Sequence, residues 1–207
     1  EVDSAVALLA CSGLYWLYSF SVKPLVWLQR LLLAMIAVAG IVFVTMVSLA
    51  YSVDTIVTWS LPTVPISLWL NALMGGPLLA AITLYAAQWR ALAGRFGLLL
   101  MTVPFIALAA NAAVYIVQGR LLGGVTNSVV AAADLAPHYH TMLLAFALMC
   151  FAGCVLAAFT MHVVSREAMA HGGGELAFSK RVLVHLLVAC LLVFAGVFVM
   201  RFAFYMM

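Results

Sequence analysis

The chain has 207 residues, of which 68% are hydrophobic and only 7% are charged, and its formal net charge is +3. A soluble domain carries roughly 25% charged residues, so this protein cannot cover a water-facing surface and its main solvent is lipid. So small a net charge gives no reason to expect nucleic acid as a partner. The composition predicts a protein embedded in the lipid bilayer.

Proline, glycine and charged residues divide the chain into six apolar runs, each close to the roughly 20 residues that a helix needs to cross a bilayer. The runs lack the alternating polarity of membrane-barrel strands. We therefore predict an all-α fold, a polytopic transmembrane helical bundle. It forms a single transmembrane domain over 1–207, with spans at about 2–20, 31–51, 64–89, 96–117, 139–164 and 182–205.

The first run starts at Glu1, and no basic segment or small-residue cleavage site precedes it, so it does not read as a signal peptide. The simplest interpretation is a fragment that lacks an N-terminal part. Between the fourth and fifth runs, "TNSVVAAADL" at 126–135 is typical of a short surface helix, because it opens on a plausible N-cap.

The loops predict the orientation. Two of the nine Lys and Arg residues, Arg120 and Arg201, fall on one face, together with Glu1, Asp3, Asp54 and Asp134. The other seven lie in or beside the loops 20–30, 90–95 and 165–181 of the opposite face, which the positive-inside rule makes cytoplasmic. Both ends of the chain are then expected on the outer, periplasmic side of a bacterial inner membrane.

Charged groups near membrane depth are costly and are therefore functional candidates. Arg201 lies near the outer end of the sixth span, and Glu1 and Asp3 open the first span on the same side. An ion pair between Arg201 and one of these carboxylates is geometrically possible. The residues alone leave two interpretations open: a carboxylate that contacts quinone or accepts its protons, or an Arg201 side chain that snorkels to the interface.

A transmembrane b-haem needs two axial ligands buried between helices. The histidines lie at span ends or in loops instead, which disfavours a haem-containing anchor. The four cysteines lie inside apolar runs without the spacing of a zinc or iron–sulfur site, so we expect no cluster in this protein. The five histidines are His138, His140, His162, His171 and His185, and the four cysteines are Cys11, Cys150, Cys154 and Cys190.

A secondary transporter is an alternative, because Gly75, Gly76 and Pro77 in "MGGPLL" would break or kink the third span, and broken helices line many transporter sites. The other interpretation of this run is a kink that serves helix packing. Transporters also place polar groups near mid-bilayer. The spans offer little of that kind beyond Asn71, Gln88 and Asn111.

Three stretches together resemble the membrane anchor subunit of dimethyl sulfoxide reductase, the DmsC family. The first is Tyr51 to Leu79, where "YSVDTIVTW" is followed by "MGGPLL". The second joins "VQG" at 117–119 with "SVVAAADLAPHY" at 128–139. The third is Arg201 with Phe204 and Tyr205. The resemblance extends over nearly the whole chain, although each motif is apolar.

The resemblance implies a protein of eight transmembrane helices, of which this chain would hold the third to the eighth. It further implies that the protein oxidises menaquinol in anaerobic respiration, without haem or iron–sulfur clusters of its own. The electrons pass to a ferredoxin-like iron–sulfur subunit and then to a molybdopterin catalytic subunit. In the family, the outer quinol site uses a His after the second helix and a Glu that opens the third. Glu1 matches that Glu by position, and we take Glu1 and Arg201 as the candidate quinol-binding residues.

Overall fold

The computed structural model describes residues 2–51, 56, 58–125, 132–135, 137–170 and 178–206. Within these residues, five helices are long and apolar enough to cross a membrane, and a sixth, shorter helix is also apolar. The chain is therefore a multi-pass membrane protein, and the predicted all-α transmembrane fold is confirmed. The long helices are α1 (Val2–Tyr18), α2 (Val26–Ala50), α3 (Thr63–Ala86), α4 (Arg95–Leu122), α6 (Tyr139–Ala170) and α7 (Lys180–Met206), with a short α5 (Ala132–Leu135) and a 3₁₀ helix (Arg90–Ala93) between them.

Several helices extend past the predicted spans. Helix α2 begins at Val26 rather than at residue 31, α4 continues to Leu122, and α6 continues to Ala170. The spans were drawn to end near the charged residues, but a helix continues through Arg30, Arg120 or Arg166 because long basic side chains reach the interface from within its first or last turns. The segment predicted as a surface helix lies mostly outside the described residues, and its last four residues form α5.

The chain divides into two compact units, Glu1–Trp69 and Leu70–Met207, each considered by itself below. The prediction of a single transmembrane domain stays a prediction. In the first unit, α1 has no buried residue and α2 has only Ser48. Hydroxyl groups on these helices donate to the preceding turn, as Ser48 Oγ does to the carbonyl of Val44 at 2.7 Å, and this bond satisfies the hydroxyl within its own helix. A turn joins the two helices, and in it the backbone N–H of Leu25 donates to the Tyr18 hydroxyl at 2.7 Å.

Helix α3 is continuous from Thr63 to Ala86, with Pro77 inside it, so the broken helix of the transporter interpretation does not occur at "MGGPLL". Proline removes one backbone donor, a loss that membrane helices tolerate. A Cβ on Gly75 would lie 3.1 Å from the Phe194 ring of α7, which makes the packing interpretation of this run the better one. The "MGGPLL" run therefore gives no support to a transporter site in α3.

In the second unit, α6 and α7 pack antiparallel at very close range. A Cβ on Gly153 would lie 2.6 Å from the backbone oxygen of Ala189, and a Cβ on Gly196 would lie 2.6 Å from the Cys150 sulfur. Small residues allow this approach, and in lipid the dispersion contacts it creates replace the hydrophobic effect as the force that associates helices. The same contacts set the register, with the end of α7 beside the start of α6.

We predict that Gly153→Ala destabilises the protein by about 1–3 kcal/mol, because the added methyl group would overlap backbone, which cannot rotate away. Gly76→Ala is the matched control, since nothing lies within 4 Å of a Cβ there. Unfolding in mixed detergent micelles, followed by circular dichroism, measures both variants. Equal stability of the two would contradict the close α6–α7 packing.

Candidate functional site

Polar side chains collect between the middle of the second unit and the end where α4 and α7 finish and α6 begins, which is the end that the loop charges predict to be outer. Asn71 lies eight residues after the start of α3, about 12 Å along the helix axis. Asn111 and Tyr115 are one turn apart on α4, in the half that leads to Leu122, and Tyr139 is the first residue of α6. Three helices thus contribute to one buried group, which we name the Asn–Tyr cluster (Asn71, Asn111, Tyr115 and Tyr139).

Hydrogen bonds connect the members of the Asn–Tyr cluster. The Asn111 amide Nδ2 donates to Asn71 Oδ1 at 2.7 Å, and Asn71 Nδ2 donates to the Tyr115 hydroxyl at 3.3 Å. Both Asn111 and Tyr115 are buried, whereas Asn71 is partly exposed. Interhelical bonds of this kind stabilise membrane bundles because the alternative is a polar group in hydrocarbon. The cluster therefore fixes α3 against α4.

Tyr139 fixes the start of α6 to the same part of α4. Its hydroxyl donates to the backbone oxygen of Tyr115 at 2.7 Å, and the side chain is buried. The ring lies so close to α4 that a Cβ on Gly119 would be 2.7 Å from Tyr139 Cε1, which explains the glycine at this position of "VQG". The Tyr115 ring in turn meets the edge of Phe146, with ring centroids 5.2 Å apart.

The structure leaves one atom of the cluster without a partner. Asn111 is fully buried, and its Oδ1 has no hydrogen-bond donor among the described residues. Such an atom is uncommon in folded proteins and calls for a physical explanation, such as a bound water or ligand.

Arg201 lies on α7 near the same end of the unit and is partly buried. Its guanidinium carbon is 5.5 Å from the centroid of the Phe204 ring, within the range of a cation–π contact. Beside it is an open groove of about 640 Å³, otherwise lined by apolar residues of α7: Leu191, Phe194, Ala195, Val197 and Phe198. A cation at the end of an apolar groove suits an amphipathic ligand that is soluble in the membrane.

Glu1, the other candidate quinol-binding residue, lies outside the described residues. Its pairing with Arg201 therefore stays a prediction. Asp3 is exposed in the first turn of α1. Charge near membrane depth pointed to Glu1, Asp3 and Arg201 in the sequence. Asn71 and Asn111 were noted there only as two of the few polar residues within the spans, which disfavoured a transporter. In the sequence, the sign of the Asn–Tyr cluster was that two consecutive spans each carry an asparagine toward their middle, Asn71 in α3 and Asn111 in α4.

Histidines do not form a site in the described parts of the chain. His138, His140, His162 and His185 are all exposed, whereas axial haem ligands are buried between helices. His171 lies outside the described residues. Across the described ranges, no group of three or more His, Cys, Asp or Glu side chains is placed to hold a metal ion. The expectation that the protein has no haem or cluster of its own remains a prediction.

Comparison with known proteins decides the family. The model of the DMSO reductase anchor subunit (DmsC) family matches residues 1–207. The chain belongs to this family. Two curated relatives, both from Escherichia coli (strain K12), are polypeptides of anaerobic dimethyl sulfoxide reductases. The one named YnfH is 31% identical over 147 residues, and the one designated C is 33% identical over 144 residues.

Each alignment with these relatives covers 69% of this chain and 49% of the relative. The chain therefore spans about half the length of the curated relatives it matches. No solved structure matches the chain significantly. The family assignment confirms the resemblance seen in "MGGPLL", "VQG" and the Arg201 segment, and it fits a fold made of membrane helices.

We predict that Asn71 and Asn111 are energetically coupled. In a double-mutant cycle of Asn71→Leu and Asn111→Leu, measured by unfolding in detergent, the coupling should be about 0.6 kcal/mol and at most about 1.7 kcal/mol, the range of interhelical hydrogen bonds in membrane proteins. The control cycle pairs Asn111→Leu with Thr102→Val, because the Thr102 hydroxyl donates to Leu99 O in its own helix. A coupling indistinguishable from this control would mean that the α3–α4 bond does not form.

Proposed function

We propose that this chain is the quinol-oxidising membrane anchor of a molybdopterin oxidoreductase of the dimethyl sulfoxide reductase type. The observation that carries the proposal is the match of the anchor-subunit family over residues 1–207. A protein of apolar helices with few charges is also suited to hold water-soluble subunits at a membrane. The acceptor itself would be reduced on another subunit.

The proposed substrate is menaquinol, which reaches the protein through the bilayer. Its oxidation releases two electrons and two protons, so the site needs an acceptor for each. The protons leave most simply through a carboxylate at the membrane surface, and Glu1, which precedes α1 in the sequence, is the candidate. Arg201 is the second candidate contact, because a cation beside an apolar groove would hold the polar headgroup or orient a carboxylate.

The proposed partners follow from where the electrons must go. The described residues offer no cluster-type ligand set, so a ferredoxin-like iron–sulfur subunit would take the electrons and pass them to a molybdopterin catalytic subunit. We propose that the iron–sulfur subunit, which takes the electrons from this protein, docks on it at the outer face of a bacterial inner membrane. The asymmetry of the Lys and Arg residues supports that orientation, since seven of the nine belong to the opposite face.

Replacement of Glu1 tests the proton acceptor. In the assembled complex, Glu1→Gln should lower the rate of menaquinol oxidation roughly 100-fold, because a positioned base typically contributes 10²–10⁴ to a proton transfer. The rate with a reduced dye that donates directly to the soluble subunits should not change. Asp3→Asn, which neutralises an exposed carboxylate two residues away, is the matched control.

Unchanged quinol turnover in Glu1→Gln would rule out its role. A double replacement, Glu1→Gln with Arg201→Gln, then tests the proposed pair. If activity and assembly both survive the double replacement, neither the ion pair nor a shared quinol contact exists.

A spectrum of the purified protein tests the absence of haem. We expect no α-band in the visible absorbance after dithionite reduction, because the four described histidines are exposed rather than paired between helices. An α-band that co-purifies in stoichiometric amount would replace this proposal with that of a haem-containing respiratory anchor.

A further inference from the structure

Asn111 provides the starting point, because its side chain has an unmet hydrogen bond in a place where water is scarce. The residue is fully buried, and its Oδ1 lacks a donor within the described part of the chain. A buried acceptor left in this state is destabilising, because it has given up its hydrogen bond to water without gaining another. A ligand that donates a hydrogen bond to it would recover that free energy.

The orientation of the amide groups does not remove the unmet bond. Amide oxygen and nitrogen atoms are assigned from the hydrogen-bond network. If both amides are reversed, Tyr115 donates to Asn71 and Asn71 donates to Asn111, over the same two distances of 3.3 and 2.7 Å. The atom left without a partner on Asn111 is then the donor Nδ2. In either arrangement, the same position on Asn111 needs a partner.

The ligand that suits both arrangements is a hydroxyl group, which donates to Oδ1 in one and accepts from Nδ2 in the other. In the first arrangement the Tyr115 hydroxyl accepts from Asn71 and makes no other hydrogen bond with the described residues, so it retains a proton to donate. The surroundings are apolar and aromatic, with the Phe146 ring against Tyr115. Asn71 is partly exposed, so the cluster is not sealed from the surface of its unit.

We infer that the Asn–Tyr cluster, through Asn111 and Tyr115, binds one hydroxyl group of a quinol headgroup. This inference rests on the proposed function and adds binding residues that the charge-based argument did not select. The amide of Asn111 does not titrate, so it binds and orients the hydroxyl without taking its proton. An ordered water has the same hydrogen-bonding chemistry and is the occupant that the experiment must distinguish.

The test uses the complete membrane-bound complex with 2,3-dimethyl-1,4-naphthoquinol as the electron donor. We expect Asn111→Leu and Tyr115→Phe each to raise the KM for this quinol roughly two- to tenfold, the effect of one lost hydrogen bond. The rate with a reduced dye that donates directly to the soluble subunits should stay the same. Thr160→Val is the matched control, since Thr160 is a buried hydroxyl of α6 that donates to Leu156 O in its own helix.

The possible outcomes distinguish a failure of the proposed function from a failure of the inference about Asn111 and Tyr115. If the unaltered complex does not oxidise the quinol, the proposed function fails. If it does, and both variants keep the KM of Thr160→Val, the inference alone is overturned and the cluster holds a water. Should Asn111→Leu fail to assemble, Tyr115→Phe decides the question, because it removes one hydroxyl and leaves the ring packed on Phe146. A KM unchanged in that variant also overturns the inference.

Discussion

In hydrocarbon, every backbone N–H and C=O must find a partner inside its own segment, and the rest of this structure depends on that constraint. It forces the apolar runs into helices and lets α3 continue through Pro77, because the single lost bond costs less than an open break would. It also explains why the hydroxyl groups of Thr45, Ser48 and Thr160 each donate to the preceding turn of their own helix. Once the backbone is satisfied in this way, lipid and protein interiors are equally apolar, and burial alone no longer drives helices together.

Helix association in the second unit therefore relies on two other interactions, close contact and interhelical hydrogen bonds. Gly153 and Gly196 bring α6 and α7 within reach of each other's backbones, and Gly119 admits the Tyr139 ring against α4. The Asn71–Asn111 bond joins α3 to α4. The α1–α2 pair of the first unit buries little by comparison, with Ser48 as the one buried residue of α2.

The sequence alone predicted the fold class and the six long helices, because hydrophobic runs of bilayer length have few competing explanations. It missed the helix ends, since Arg30 and Arg120 were taken as boundaries although their long side chains can stay within a helix. It left two interpretations of Gly75–Pro77 open, a broken helix that lines a transporter site and a kink that serves packing, and the structure has packing against Phe194. The Asn–Tyr cluster could not be derived from the sequence, because Asn71 and Asn111 are 40 residues apart and only the helix pairing brings them together.

The two kinds of candidate residue suit different parts of one reaction. A quinol can lose its electrons only as its protons leave, so a site needs both a group that titrates and groups that hold the ring in place. Glu1 can supply the first, whereas the amide and phenol groups of Asn111 and Tyr115 supply hydrogen bonds without changing charge. Neutral groups are also the less costly choice at membrane depth, where a second carboxylate would have to be paired or neutralised. That difference in cost gives a physical reason for carboxylates to lie near helix ends, as Asp3 does in α1 and Glu167 does in α6, and for the amides to lie deeper between α3 and α4.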